Sequence, residues 1–209
     1  MKSLAKSIGV FALVFVLCAP SFAVLKPGEK LIPFSLKNVD GKDFTVTVEE
    51  GRLTLLVAET IAGETRVVKY HPSAVLIDFW ATWCVPCRKA MLHMQRLNEN
   101  FGPAEGQIRG GLRVLGIALD EAGGKVVRPF YQKLKITYPM LADPPSGAAP
   151  VGILMTTKDM KKQYGIQEIP VVYLVDATGT IIHGHVGFKE EHIAELEAAV
   201  KSLVGGAAR

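Results

Sequence analysis

Apolar positions along the 209-residue chain follow two periods, and the change between them outlines the elements. Alternating or unbroken apolar runs predict strands. Ile32 to Leu36 and Asp43 to Val48 read as short strands around Asn38-Val39-Asp40-Gly41. Leu53 to Ala58 and Arg66 to Tyr70 read as a hairpin about Ala62-Gly63. Val75 to Trp80 is apolar throughout except for Asp78, which predicts a buried strand holding an acid that demands a reason. From Val85 the period lengthens. Cys87, Met91, Met94, Leu97 and Phe101 recur every three or four residues, the spacing of one helix face. Pro86 fits the first turn of that helix, where a missing N–H costs nothing. Leu112 to Leu119 predicts a second buried strand, ending at Asp120. Val126 to Leu134 and Lys158 to Tyr164 predict helices. Val171 to Val175 and Thr180 to Val186 predict strands about the turn Asp176 to Gly179, and Glu190 to Leu203 an amphipathic helix. This order implies an α/β sheet covered on both faces. The Pro-, Gly- and Ala-rich stretch between Ala142 and Thr157 predicts a surface loop or a lid.

The first 23 residues stand outside that pattern. Lys2 and Lys6 make a positive start, Ile8 to Ala19 carries no charge, and small Ser21 and Ala23 occupy the −3 and −1 positions of a cleavage site. This is the layout of a secretory signal peptide. An uncleaved anchor is the competing reading, although the apolar run falls short of the ~20 residues of a comfortable span. A lipidated Cys18 fits worse, because Leu17 stands where a small residue is expected. One domain is expected over residues 24–209. Cleavage after Ala23 takes the formal charge from +4 to +2 by removing Lys2 and Lys6. No basic stripe interleaved with aromatics suggests a nucleic-acid surface.

Cleavage also removes Cys18 and leaves two cysteines, in Cys84-Val85-Pro86-Cys87. Export places them where disulfides persist. A bridge closing so small a loop constrains the unfolded chain little, so stabilisation is a poor explanation for the pair. Chemistry is a better one. Cys84 lies where the buried strand ends and the helix begins, and a helix N-terminus offers unpaired N–H groups and partial positive charge to an anion. A thiolate there is favoured, which makes Cys84 the candidate nucleophile. Cys87, one turn later and more shielded, is the candidate resolving thiol. Asp78, six residues before Cys84 and set among apolar residues, is the candidate base, since burial raises a carboxyl's proton affinity.

Asp78-Phe79-Trp80-Ala81-Thr82-Trp83-Cys84-Val85-Pro86-Cys87 resembles the active-site stretch of thioredoxins, most closely that of the exported TlpA/ResA-like branch. The resemblance covers most of the mature chain. It includes Pro33-Phe34-Ser35-Leu36 through Gly41-Lys42, Tyr138-Pro139-Met140-Leu141-Ala142-Asp143, Tyr164-Gly165-Ile166 through Ile169-Pro170, and Leu174-Val175-Asp176 with Gly179. It implies a thioredoxin-like fold: a central mixed sheet with helices on both faces and an N-terminal β-hairpin extension. It implies a cis bond before Pro170 facing the cysteines, with the Ile169 backbone free to pair with an extended substrate. Trp83 and Pro86 join Ile169 and Pro170 as expected substrate contacts. No cofactor is implied beyond the redox-active Cys84–Cys87 disulfide, and no metal. The implied partners are exported protein disulfides, with apocytochromes c among the possible clients, and a membrane thiol donor. The expected form is a monomer, and the expected location periplasmic or otherwise extracytoplasmic. Two departures stand out. Many members of this branch carry Glu three residues after the second cysteine, where this chain has Ala90, so acid–base duty falls to Asp78. The segments 59–71 and 144–157 exceed the minimal core.

Four alternatives remain. A strong disulfide oxidase stabilises its thiolate greatly, and Val85-Pro86 supplies neither charge nor donor, so reduction is favoured. A peroxiredoxin-like peroxidase expects Thr three residues before its cysteine, whereas Thr82 is two before Cys84. A metal site would need two ligands beyond the Cys pair. His183 and His185 share one strand face, but the simpler expectation is two exposed histidines. A redox-inactive client-binding module is the last. His93, Arg88 and Lys89 are expected on a solvated helix face, and Met91 and Met94 in the core.

Overall fold

The computed structural model describes residues 24–143 and 155–205. The expected signal peptide, Cys18 and most of the Pro-, Gly- and Ala-rich stretch lie outside the described residues.

Four antiparallel strands come first: β1 (Phe34–Lys37), β2 (Asp43–Glu49), β3 (Arg52–Ile61) and β4 (Glu64–Tyr70), in spatial order β1-β2-β3-β4. Two of the connections are two residues long. Glu50 and Gly51 adopt φ of 51° and 74°, and Ala62 and Gly63 adopt 51° and 84°. Positive φ at both central residues matches the twist of the flanking strands. The N-terminal extension is thus a full four-stranded sheet, larger than one hairpin, and residues 59–71 form its outer hairpin.

The second sheet is mixed, in order β7-β6-β5-β8-β9. Its centre is β5 (Ala74–Trp80), parallel to β6 (Leu112–Ala118) and antiparallel to β8 (Val171–Asp176). β9 (Ile181–Val186) and β7 (Met140–Leu141) lie at the edges. The two-residue β7 is too short to leave a periodic signal, and it is held by Gly116 N–H donating to the Pro139 carbonyl at 3.0 Å. The helices are α1 (Val85–Phe101), α2 (Gly124–Lys133), α3 (Thr157–Gln163) and α4 (Glu190–Gly205).

Every residue of β5 is buried, and its period of two divides them between two cores. Val75, Ile77 and Phe79 face β1 to β3 and Met160 of α3. Ala74, Leu76 and Trp80 face Met91, Met94 and Leu97 of α1, Val127 of α2, and Leu196 and Val200 of α4. Burial of each large apolar side chain contributes roughly 1.5–3 kcal/mol. Helices do cover both faces, but on one of them the N-terminal sheet does most of the covering. The two sheets are tied by Leu53 N–H donating to the Ala177 carbonyl at 2.8 Å and by the Asn38–Leu141 bridge. Among the described residues no helix is long and apolar enough to cross a membrane.

Candidate active site

β5 ends at Trp80, and α1 begins five residues later, at the C-terminal edge of the parallel strands. Cys84 is the N-cap of α1 in extended conformation (φ −83°, ψ 101°), and Pro86 lies in the first turn. Cys84 and Cys87 form a disulfide with Cα atoms 5.3 Å apart. The Cys87 amide N–H points at Cys84 Sγ at 3.3 Å, so the cap position gives this sulfur one of the helix's free donors. No acid occupies the first turn of α1 to oppose negative charge there. Cys84 is 4% exposed and Cys87 fully buried, so the outer sulfur is the one a partner can reach.

The rim around that sulfur is apolar. Trp83 is 67% and Val85 63% exposed, and Pro86 is exposed beside them. Opposite lies the Ile169–Pro170 peptide, which is cis, with the Ile169 carbonyl oxygen 3.8 Å from Cys84 Sγ. A bridged sulfur has no proton to donate, so this is a packing contact. The structure therefore gathers Trp83, Cys84, Pro86, Ile169 and Pro170 at one place.

Asp78 lies beneath, in the β5 register that faces the helices, on the Cys87 side of the sheet. It is fully buried, and neither carboxylate oxygen has a hydrogen-bond partner among the described residues. Removal from water raises its pKa to about 7. Ala90 is buried on α1, so that helix brings no acid to the place.

Asp120 was not foreseen as part of the site. Just beyond β6, it is nearly buried and accepts from Thr82 N–H at 3.0 Å and from Thr82 Oγ1 at 2.5 Å. It thus holds the loop that presents Trp83 and Cys84. An acid closing an apolar strand was the available signal, but its partner lies 38 residues away. Arg88 is not merely solvated. It donates to the Thr82 carbonyl at 3.1 Å, and its guanidinium lies 5.3 Å from the Phe130 ring centre.

The histidines also depart from expectation. His183 and His185 are half-buried, because α4 packs across β9 and brings His192 onto the same strand face. Ring centres are 5.3 Å apart for His183–His185 and 4.6 Å for His185–His192. Burial and the two neighbouring rings lower the His185 pKa to about 4. His93 is likewise half-buried, packed against Phe188 with ring centres 5.6 Å apart. Among the described residues no group of three or more His, Cys, Asp or Glu is arranged to hold a metal ion.

A thioredoxin-like fold with a Cys-x-x-Cys disulfide capping its first long helix defines the class of protein. The sequence model of the AhpC/TSA family matches residues 57–184, and the chain belongs to that family. Among curated proteins it is similar to thioredoxin-like protein YneN of Bacillus subtilis (strain 168), 24% identical over 163 residues that cover 78% of this chain and 73% of the relative. It is also similar to the thiol-disulfide oxidoreductase ResA of Halalkalibacterium halodurans, 22% identical over 173 residues, 83% of this chain and 76% of the relative. The resemblance to the TlpA/ResA-like branch is borne out by these relatives. Among solved structures, the thioredoxin domain of a thiol-disulfide oxidoreductase from Bacteroides vulgatus superposes with a TM-score of 0.57 at 17% identity, covering 84% of this chain and 99% of that one. That likeness bears out the fold.

Proposed function

We propose that the chain is an exported thiol–disulfide oxidoreductase that reduces disulfides of exported proteins through Cys84 and Cys87. The observation that carries this reading is the outer sulfur of a Cys-x-x-Cys bridge at a helix N-cap, ringed by exposed apolar side chains, with a buried carboxyl on the inner side. The ResA relative's name, thiol-disulfide oxidoreductase, supports it.

In the reduced protein the Cys84 thiolate, favoured by the Cys87 N–H and the helix terminus, attacks one sulfur of a substrate disulfide. A mixed disulfide forms and the other substrate sulfur leaves as a thiolate. Asp78 takes the proton of Cys87. The Cys87 sulfur then attacks Cys84, restoring the bridge and releasing the second substrate sulfur. Two electrons pass to the substrate, and a membrane dithiol donor must return them to the protein. Trp83, Val85 and Pro86 supply the docking surface, and the Ile169 backbone an edge for an extended segment.

Reduction is favoured over oxidation because Val85-Pro86 puts no charge or donor between the cysteines to hold a very stable thiolate. Exported proteins such as apocytochromes c are the client class, and the protein acts as a monomer outside the cytoplasm. The test is insulin reduction by the full chain with dithiothreitol as donor, and the reduction potential of the pair. Turnover that vanishes in Cys84→Ser, with a potential well below the roughly −180 mV of protein disulfide isomerase, is the expected result. A potential above that value would mark an oxidase. Consumption of peroxide in place of insulin would mark a peroxidase, and no turnover of either would leave a client-binding module.

A further inference from the structure

On the helix-facing side of β5, three buried groups make no hydrogen bond among the described residues: the Asp78 carboxylate, Trp80 Nε1 and the Tyr138 hydroxyl. Buried polar groups are seldom left alone in a folded protein. These three are complementary, since an ionised carboxylate only accepts, an indole only donates and a phenol does both.

Their placement has a local cause. Asp78 stands opposite Gly116 on β6, and Gly116 stands opposite Met140 on β7. A Cβ at Gly116 would lie 3.2 Å from Trp80 Nε1 and 2.5 Å from Met140 Sδ. Glycine is what lets the indole N–H and the β7 edge close over the strand beside Asp78. Tyr138, two residues before Met140, packs into the same layer. Its phenol pKa is raised well above the usual value by burial and, behind that, by the charge of Asp78. The other elements of this layer bring little that titrates. α1 brings Cys87, β8 brings Val172 opposite Asp78, and α4 brings Leu196 and Val200. α2 brings Val127 and Phe130, with Tyr131 at the margin near Asp40 and Arg128.

We propose that Tyr138 is a positioning residue for proton transfer at Asp78, its hydroxyl and Trp80 Nε1 being the donors that the carboxylate uses whenever it is ionised. The inference rests on the exchange reading above and adds a residue to it. Donors to the ionised form lower a carboxylate's proton affinity. Tyr138 therefore sets how far the pH must rise before Asp78 is free to accept the Cys87 proton, while the Cys87 sulfur bonds to Cys84 and the bond from Cys84 to substrate breaks.

The test is a carbon-13 carboxyl titration of Asp78 in the full chain, for wild type, Tyr138→Phe and Trp80→Phe, beside the pH dependence of mixed-disulfide resolution. Tyr138→Phe should raise the Asp78 midpoint by about half a pH unit or more and carry the resolution profile with it, the rate on the high-pH plateau staying close to wild type. A purely structural role would lower the melting temperature and leave both midpoints in place. An Asp78 midpoint unmoved in folded Tyr138→Phe overturns the proposal. If that variant does not fold, Trp80→Phe carries the test, and an unmoved midpoint there overturns it equally. A midpoint that shifts in a protein without disulfide-reducing activity would sustain the coupling and sink the exchange reading instead.

Discussion

The two faces of β5 use the same strand for opposite ends. Val75, Ile77 and Phe79 point into an apolar core closed by a second sheet. Leu76, Asp78 and Trp80 point the other way, toward Cys87 and α1, and there the strand buries a carboxyl and an indole N–H without partners among the described residues. One face stabilises the fold, and the other gives up part of that stability to bury an ionisable carboxyl. The lesson is that a site of this kind needs a strand secured from behind, because its own side of the core is electrostatically costly. In this chain the N-terminal sheet provides the backing. Its first three strands contribute Phe34, Leu36, Phe44, Val46, Leu53, Leu55 and Val57 to the quiet face.

The largest expected effect breaks the quiet face. Phe79 packs against Tyr164 and Tyr173, with ring centres 5.5 and 6.2 Å away. Phe79→Ala should destabilise the protein by about 3–5 kcal/mol through lost burial and an unfilled cavity. Chemical denaturation would measure the loss, and the pH dependence of exchange should not move. A shifted pH profile in this variant would show that the two faces are not separable.

The second effect reads the costly face directly. Asp78 has a folded pKa of about 7 against an ordinary value of 3.8. Below pH ~4 the carboxyl is largely protonated in both states, so no ionisation cost is added there. As pH rises toward 7 the unfolded chain sheds the proton while the folded protein keeps it. Stability is therefore lost across that window, on the order of 4 kcal/mol in total, and levels off above it. Asp78→Asn should lack this slope, so wild type should fall relative to the variant between pH 4 and 7. Parallel stability curves would mean that Asp78 ionises in the folded protein as readily as in water.

What could be read in the sequence followed locality. The pair Cys84 and Cys87 was legible because a strand pattern ends at Trp80 and a helix pattern starts at Val85, which sets the pair at the junction. Asp78 was legible as a lone acid in an apolar run. The cis bond at Pro170 came from resemblance, since the residues alone leave a proline before a strand ambiguous. Contacts across the fold were opaque. Asp120 and Thr82 meet because β6 lies parallel to β5 in a particular register. Tyr138 reaches Asp78's layer through β7, two residues long. His183 and His185 were correctly set on one strand face, but what covers that face is His192 of α4, which strand periodicity cannot show. The N-terminal extension was underestimated for the same reason: two hairpins were visible, and their joining through β2 and β3 was not.

The smallest expected effect sharpens the comparison where the strand hands over to the helix. Thr82 gives Asp120 two donors, its N–H and its hydroxyl, and the carboxylate is nearly buried. Thr82→Ala keeps the first and loses the second, which leaves part of a buried charge without its partner. A hydrogen bond to a charged group contributes about 1.5–3 kcal/mol, and the surviving N–H holds the loss toward the lower end. Thr82→Ser retains the hydroxyl and should recover most of it. The same loop presents Trp83 and Cys84, so Thr82→Ala should also slow attack by Cys84 on a model disulfide while the Asp78 midpoint stays where it is. Slower attack together with a moved Asp78 midpoint would mean that the entrance of the site and its buried base respond as one unit. An attack rate equal to wild type would mean that the helix cap alone holds Cys84, with Asp120 contributing only to stability.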